Sequence, residues 1–548
     1  MIQLVDLFGF LSVLLRAIAL ASQSIALGGI VFAVIVVAPI DSIDLDSASA
    51  LTRSTRRLIT WSAAILAVNQ LSYVLLNSAM LISTADLSPV EVIGANFFVA
   101  GVATILAAVG IALLIRAPIR PATPWLLLLA VVVLGASVIT SHAVSRVEHR
   151  IPIAAAGALH QAATASWIGG LPYLLIALVR CSSDRARQAV ASRFSKVAMI
   201  SVGVLAGAGI ALSVFYIDSL EAVYGTAYGV MVLSKVALFG LLLALGGMNF
   251  YIVRSLRADA SAPILHLRRF GEAEIGIGFT VILAAASLTS TPPAVDLTVD
   301  RVSAQAIAER MSPRWPRLNS PGTEELSEPT LQTIRKAAES GAPPPQSFVP
   351  GGVATHPNTP GDIAWSEYNH HWSGLIVIVI GLLALMSQSG RASWARHWPL
   401  VFVALAAFVF LRADPENWPL GPNGFISSFS DSEVLQHRAF VLLTVAFGVF
   451  EWAVRTGRIV SARASLVFPL LTSVGGALML THSHSLGNVQ EELLAELTHV
   501  PLALLAVTAG WARWIELRLP STKNRVQSWI WPVCFVLIGV LLVLYRES

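Results

Sequence analysis

The stretch IALLIRAPIRPATPWLLLLAVVVLGASVIT, residues 111–140, decides the fold. It holds the end of one apolar run, a short loop carrying Arg116 and Arg120, and a second run from Thr123 to Thr140 without a charge. A helix crossing a bilayer needs about 20 apolar residues, whereas a helix on a soluble core shows a polar stripe every three or four residues. Residues 123–140 have no such stripe, so the stretch reads as two membrane spans joined by a basic loop.

The same alternation runs through the chain. Spans are expected near 10–39, 57–83, 91–115, 123–143, 152–179, 195–216, 226–252, 270–290, 372–388, 398–412, 434–454, 464–481, 496–515 and 528–545, with 398–412 the shortest. The fold class is therefore all-α, a polytopic bundle of about 14 spans. Composition agrees: 55% of the 548 residues are hydrophobic and 12% charged, against roughly 25% charged in soluble domains. The net charge of +4 is spread over many loops. No basic domain stands out, and a nucleic-acid partner is not expected. The two cysteines, Cys181 and Cys534, lie far apart, which excludes a disulfide framework and a thiolate zinc site.

Loop charge sets an expected orientation, because short cytoplasmic loops carry the excess of Lys and Arg. Arg53, Arg56 and Arg57 share one loop, Arg116 and Arg120 another, and Arg180, Arg185, Arg187 and Arg193 a third. Later basic loops hold Arg254, Arg257, Arg268 and Arg269, then Arg391 and Arg396, then Arg455, Arg458 and Arg463, then Arg518, Lys523 and Arg525. Poorly basic loops such as TADLSPVE and SLGNVQEELLAE alternate with them; Arg146 and Arg150 are a mild exception. Both termini are then expected outside the cytoplasm. The N-terminus lacks a basic leader region and its apolar run continues to Pro39, so the first span reads as uncleaved. A segment rich in Pro, Ser and charge, containing GAPPPQSFVPGG, divides the chain. Residues 1–292 form a first membrane domain of eight spans, 293–369 an outer linker, and 370–548 a second, histidine-rich domain of about six. VSAQAIAERM within the linker suits a short amphipathic helix.

Ten of the twelve histidines fall on the outer side of this map; His266 and His397 do not. His142 ends the fourth span, and His160 lies roughly 13 Å deep in the fifth at 1.5 Å per residue. In the second domain, His370 and His371 open one span and His437 another, His482 and His484 close a third, and His499 opens a fourth. Imidazole is a ligand for Cu, Zn, Fe and Ni, and facing helices of a bundle build metal sites from side chains at one level. His371, His437, His499 and one of His482 or His484 are expected to share an ion. Glu496, one turn before His499, with Asp431 and Glu433, could orient imidazole N–H groups. His149, His266, His356 and His397 read as interfacial anchors. Lys235 and Glu274 lie inside spans and read as structural, and Trp167-Ile168-Gly169-Gly170 as an aromatic beside a small-residue helix contact.

LHQAATASWIGGLPYLLIAL at 159–178 resembles the signature helix of the copper resistance protein D (CopD) family. SKVALFGLLLALGGMNFYIVRSL at 234–256 and LRRFGEAEIGIGFTVILAAASLTSTPPA at 267–294 resemble that family's last two helices. The likeness covers roughly residues 1–294. DIAWSEYNHHWSGL and LTHSHSLGN are similar to the C-terminal extension of longer members. The resemblance implies a bacterial inner-membrane protein that moves copper from periplasm to cytoplasm, with His142 and His160 where the family has histidines and Trp167, Gly169 and Gly170 matching its W-x-G-G. Met and Cys are scarce along any path, which suits copper held by imidazoles alone. Copper ion, membrane lipid and a periplasmic copper chaperone are the implied partners. Enzymatic activity is not expected, and neither G-x-x-x-x-G-K-[ST] nor D-K-T-G occurs. The alternative is a haem b protein passing electrons or reducing Cu(II), with His437 and His499 as an axial pair; a scaffold without metal is the third reading.

Overall fold

The computed structural model describes residues 2–85, 87–141, 149–298, 301–322, 360–414, 417–421, 424–426, 432–481, 489–519 and 526–547. Among them the only extended secondary structure is helix. Twelve helices are long and apolar enough to cross a membrane, and two shorter apolar ones, Ala464–Met479 and Gln527–Val543, join them. These coincide with the fourteen expected spans. The expected 398–412 span starts earlier, at Ser393, through a 3-10 turn, and reaches 20 residues.

The chain folds into two compact units. One comprises Phe8–Ala222 and Lys235–Leu297; the other comprises Met1–Leu7, Val223–Ser234 and Thr298–Ser548.

The first unit is built on α1 (Ile2–Phe32), α2 (Leu45–Thr84), α3 (Pro89–Gly94), α4 (Asn96–Leu114), α5 (Ile119–Ile139), α6 (Arg150–Trp167), α7 (Leu171–Arg180), α8 (Asp184–Tyr216), α9 (Leu220–Tyr224), α10 (Ala227–Ala258) and α11 (Leu265–Leu288). Local chemistry fixes the helix starts. Asp44 caps α2 by accepting the Ser47 N–H at 3.0 Å. Its second oxygen accepts the Ser47, Ser182 and Ser183 hydroxyls at 2.8, 2.9 and 2.6 Å, which ties α2 to the loop before α8. These hydrogen bonds, that of Ser183 foremost, hold the Asp44 carboxyl well below the usual range. Ser88 and Glu91 form a capping box at α3. Val68, Leu106, Val131 and Val214 keep about two thirds of their surface exposed. Such a coat of aliphatic side chains suits lipid, which is as apolar as they are.

The span from 150 to 180 is one length broken in two. After Trp167 the ladder loosens: Ile168 still donates to Thr164, but Gly169 reaches the same carbonyl five residues back and Gly170 bonds Trp167 only three back, before α7 begins. The cause is a crossing with α1. A Cβ on Gly169 would lie 1.9 Å from the Ser24 carbonyl oxygen, and one on Gly28 would lie 2.1 Å from that of Ala165. Only glycine lets the two backbones approach so closely. The crossing is locked by Tyr173, whose hydroxyl donates to the Ile25 carbonyl at 2.9 Å.

The second unit holds α12 (Ala304–Met311), α13 (Pro360–Gln388), α14 (Val401–Arg412), α15 (Ser432–Arg455), α16 (Val467–Met479), α17 (Val489–Arg518) and α18 (Gln527–Val543). Its core is aromatic: Trp398, Phe402, Phe468, Trp531 and Phe535 are buried against one another. Arg455 lies over the Trp398 and Trp531 rings at 4.7 and 5.1 Å and bonds Glu451 at 2.6 Å. Gly374 and Gly539 bring α13 and α18 together, a Cβ on either falling 2.7 Å from the other's carbonyl oxygen.

Residues 301–322 seat on this unit. The expected short helix appears as α12, Arg310 donates to the Arg546 carbonyl at 2.9 Å, and Arg546 donates back to that of Ser312 at 2.8 Å. Trp372 Nε1 donates to the Leu318 carbonyl at 3.1 Å.

Candidate functional site

In the first unit, His160 sits on α6, ten residues in from Arg150. Its ring lies along α8: the Leu205 carbonyl accepts a hydrogen bond from it, and a Cβ on Gly209 would be 3.8 Å from Nδ1. The Nδ1 atom faces α8 as well. That Nδ1 is buried and has no hydrogen-bond partner among the described residues. Gln161, next in sequence, turns to α1 and accepts from the Gln23 side chain at 3.0 Å.

Trp167, two turns further along the His160 face, is 2% exposed and packs on Phe239 at 6.2 Å. Its indole donates to Glu274 of α11, and the other partner of that carboxylate is Asn249 of α10, at 2.5 Å. Glu274 is 2% exposed. It therefore bonds the aromatic of the W-x-G-G motif and an amide that sequence reading had not singled out, and Lys235 is not its hydrogen-bond partner. A buried ionisable group in a span marks function more often than packing, and here it stands beside a helix break, the kind of interruption at which transporters place binding sites. His142 lies outside the described residues.

In the second unit, histidines gather around Tyr545, just past α18. The His370 ring stacks on the phenol at 3.8 Å between centroids, and His499 stands edge-on to it at 6.2 Å. Tyr545 donates to Glu547 at 2.7 Å, and Ser366 of α13 donates to the same carboxylate. Burial pushes the Glu547 carboxyl up, but the Ser366 and Tyr545 hydrogen bonds, with the charge of Arg310, outweigh it and hold the group below its ordinary value.

The neighbouring histidines have different duties. His371 Nδ1 accepts the Arg317 N–H at 2.7 Å and Nε2 donates to the Tyr545 carbonyl at 2.9 Å. Both ring nitrogens are committed, which leaves no lone pair for a metal. His370 donates from Nδ1 to the Ser366 carbonyl at 2.8 Å, and Nε2 keeps its lone pair. Of the two, His370 retains ligand capacity, whereas the shared site expected from the sequence was drawn through His371.

His437 bonds Asp414 through Nδ1 at 2.6 Å. This is the carboxylate–imidazole arrangement found behind metal-bound histidines, supplied by Asp414 from the end of α14. Glu496 is buried, 5% exposed, one turn before His499. His482 and His484 lie outside the described residues, as does Asp431, and the Glu433 side chain is likewise outside them. Among the described residues no group of three or more His, Cys, Asp or Glu side chains is placed to hold a metal ion.

Residues 188–288, which take in α8 and α11, match the family model of copper resistance protein D (CopD). Copper transport protein CutJ of Bacillus subtilis (strain 168) is 32% identical over 137 residues, covering 24% of this chain and 24% of CutJ. The match thus spans about a quarter of that relative's length. No solved structure matches. The family match falls on the helices that carry Glu274, Asn249 and the face opposite His160, and it agrees with the likeness read from the motifs: over that segment the chain is similar to a copper-related family, and its helices are those of a multi-pass membrane protein.

Proposed function

We propose that this protein carries copper across a bacterial inner membrane from the periplasm to the cytoplasm, without catalysing a covalent reaction. His160 carries the reading: a buried imidazole in a span of the CopD-like unit, its Nδ1 lacking a partner among the described residues. A buried polar atom left unpaired calls for an ion or a water, and imidazole nitrogen binds both Cu(I) and Cu(II). The side-chain-free Gly209 beside Nδ1 keeps that approach open. The similarity to CutJ, a copper transport protein, supports copper as cargo.

In this reading both termini face the periplasm, as the alternation of basic loops suggests. His370, His437 and His499 bind copper on that side. His437 is oriented for it by the contact of its Nδ1 with Asp414. A soluble periplasmic chaperone supplies the ion, and the first unit conducts it inward past His142 and His160. The test is uptake of radioactive copper by proteoliposomes. His160→Ala should insert normally and lose at least tenfold in initial rate. Unchanged uptake would return His160 to packing and remove the main support for the reading.

A further inference from the structure

A cavity of about 40 Å³ in the first unit is lined by Arg16, Gln23, Gln70, Tyr73, Thr104 and Thr140 among others. Arg16 projects from the middle of α1, inside a span. A guanidinium has five N–H donors. Its one hydrogen bond among the described residues is from Nη2 to the Thr140 carbonyl at 3.2 Å, and its buried Nε has none. Among the described residues no Asp or Glu lines the cavity.

Two further donors face the same space. Gln70 and Tyr73 are three residues apart, hence on one face of α2, and both line the cavity. Both side chains are half-buried. One fixed positive charge and two neutral donors converging without a carboxylate make an anion site. At about 10–15 Å³ per water the cavity takes roughly three waters, or one monatomic anion with a water, and is too small for a phosphate ester with its substituents. We propose that this cavity binds a halide-class anion, chloride being the abundant candidate, with Arg16 as its counter-charge and Gln70 and Tyr73 as its donors. The site does not depend on the copper reading.

The experiment uses the full-length protein in lipid nanodiscs, free of copper, in gluconate buffer at constant ionic strength. Chloride and bromide are titrated against thermal unfolding, since a ligand of the folded state raises its stability with concentration. Chloride binding is also followed by broadening of the ³⁵Cl resonance. Expected is a saturable rise in Tm with either halide, absent with sulfate, and lost in Arg16→Gln with at least tenfold weaker binding. Arg16→Lys should keep part of it. Should Arg16→Gln fail to fold, Tyr73→Phe and Gln70→Leu retain the guanidinium and are expected to weaken binding severalfold. A flat halide titration of the parent protein overturns the site. So does an equal response to sulfate, an unaltered affinity in Arg16→Gln, or an unaltered affinity in both donor variants.

Discussion

Gly169→Ala tests whether the crossing of α1 with the broken span positions the site. The new methyl would start 1.9 Å from the Ser24 carbonyl oxygen, 2.4 Å from its carbon and 2.5 Å from the Ala165 oxygen. Ordinary Cβ contact begins at 3.4 Å, so the backbones must part by about 1.5 Å, and forced overpacking of this kind costs about 1–3 kcal/mol. The obstructing atoms are backbone on both sides, so no side chain can rotate away and the upper half of the range is expected. Separation would also shift Trp167 from Glu274, and copper uptake should fall with stability. Gly157→Ala, on α6 with nothing within 4 Å, is the control; relieving a helical glycine there is worth about 0.5–1 kcal/mol in its favour. Both variants are compared in lipid nanodiscs by thermal unfolding and by copper uptake in proteoliposomes. A Gly169→Ala protein as stable as the control would refute the close crossing. A destabilised protein with unimpaired uptake would separate the crossing from the site.

Replacing Glu274 by Leu strips Asn249 and Trp167 of their buried acceptor and should cost about 1–3 kcal/mol, whereas Glu274→Gln keeps an oxygen for one of them and should cost less; equal unfolding midpoints for the two variants would contradict the hydrogen-bonding assignment. Because the Glu547 carboxyl is held below its ordinary value of 4.5 in the fold, its contribution should be complete above that pH and vanish as the pH falls through the lower folded value. The Tm gap between the parent protein and Glu547→Gln should therefore be widest near neutrality and close on acidification, and a gap independent of pH would dismiss the Ser366–Glu547–Tyr545 contact as a source of stability.

The bundle was legible because apolar runs and loop charge are local signals, and each of the fourteen runs became an apolar helix. The W-x-G-G stretch was legible as a close contact, since paired glycines in a span have few other uses. What the string hid is the partner of each polar group. Glu274 could be seen inside a span, but its bond to Asn249 depends on the rotation of α10 against α11, which periodicity alone does not fix. Asp414 sits 23 residues before His437, beyond the end of a different helix, α14. Tyr545 looked like the ragged end of a last span, yet it fills the space between His370 and His499. The commitment of both His371 nitrogens follows from carbonyl and amide groups of residues 317 and 545, and backbone groups carry no signature in composition.

The break at Ile168–Gly170 makes one membrane crossing into two short rods on a common joint. A continuous helix passes a tilt at one end along its whole length, because every turn is bonded to the next. Here the ladder is loosened, and the joint is pinned sideways to α1 through Gly28 and Gly169. Displacing the His160 half of the span therefore levers α1, the helix that carries Arg16 and Gln23, before it moves the stub at Leu171–Arg180. Mechanical work done at the imidazole is delivered laterally within the bilayer plane to α1 first, and it reaches the far end of the same crossing through the Tyr173–Ile25 bond.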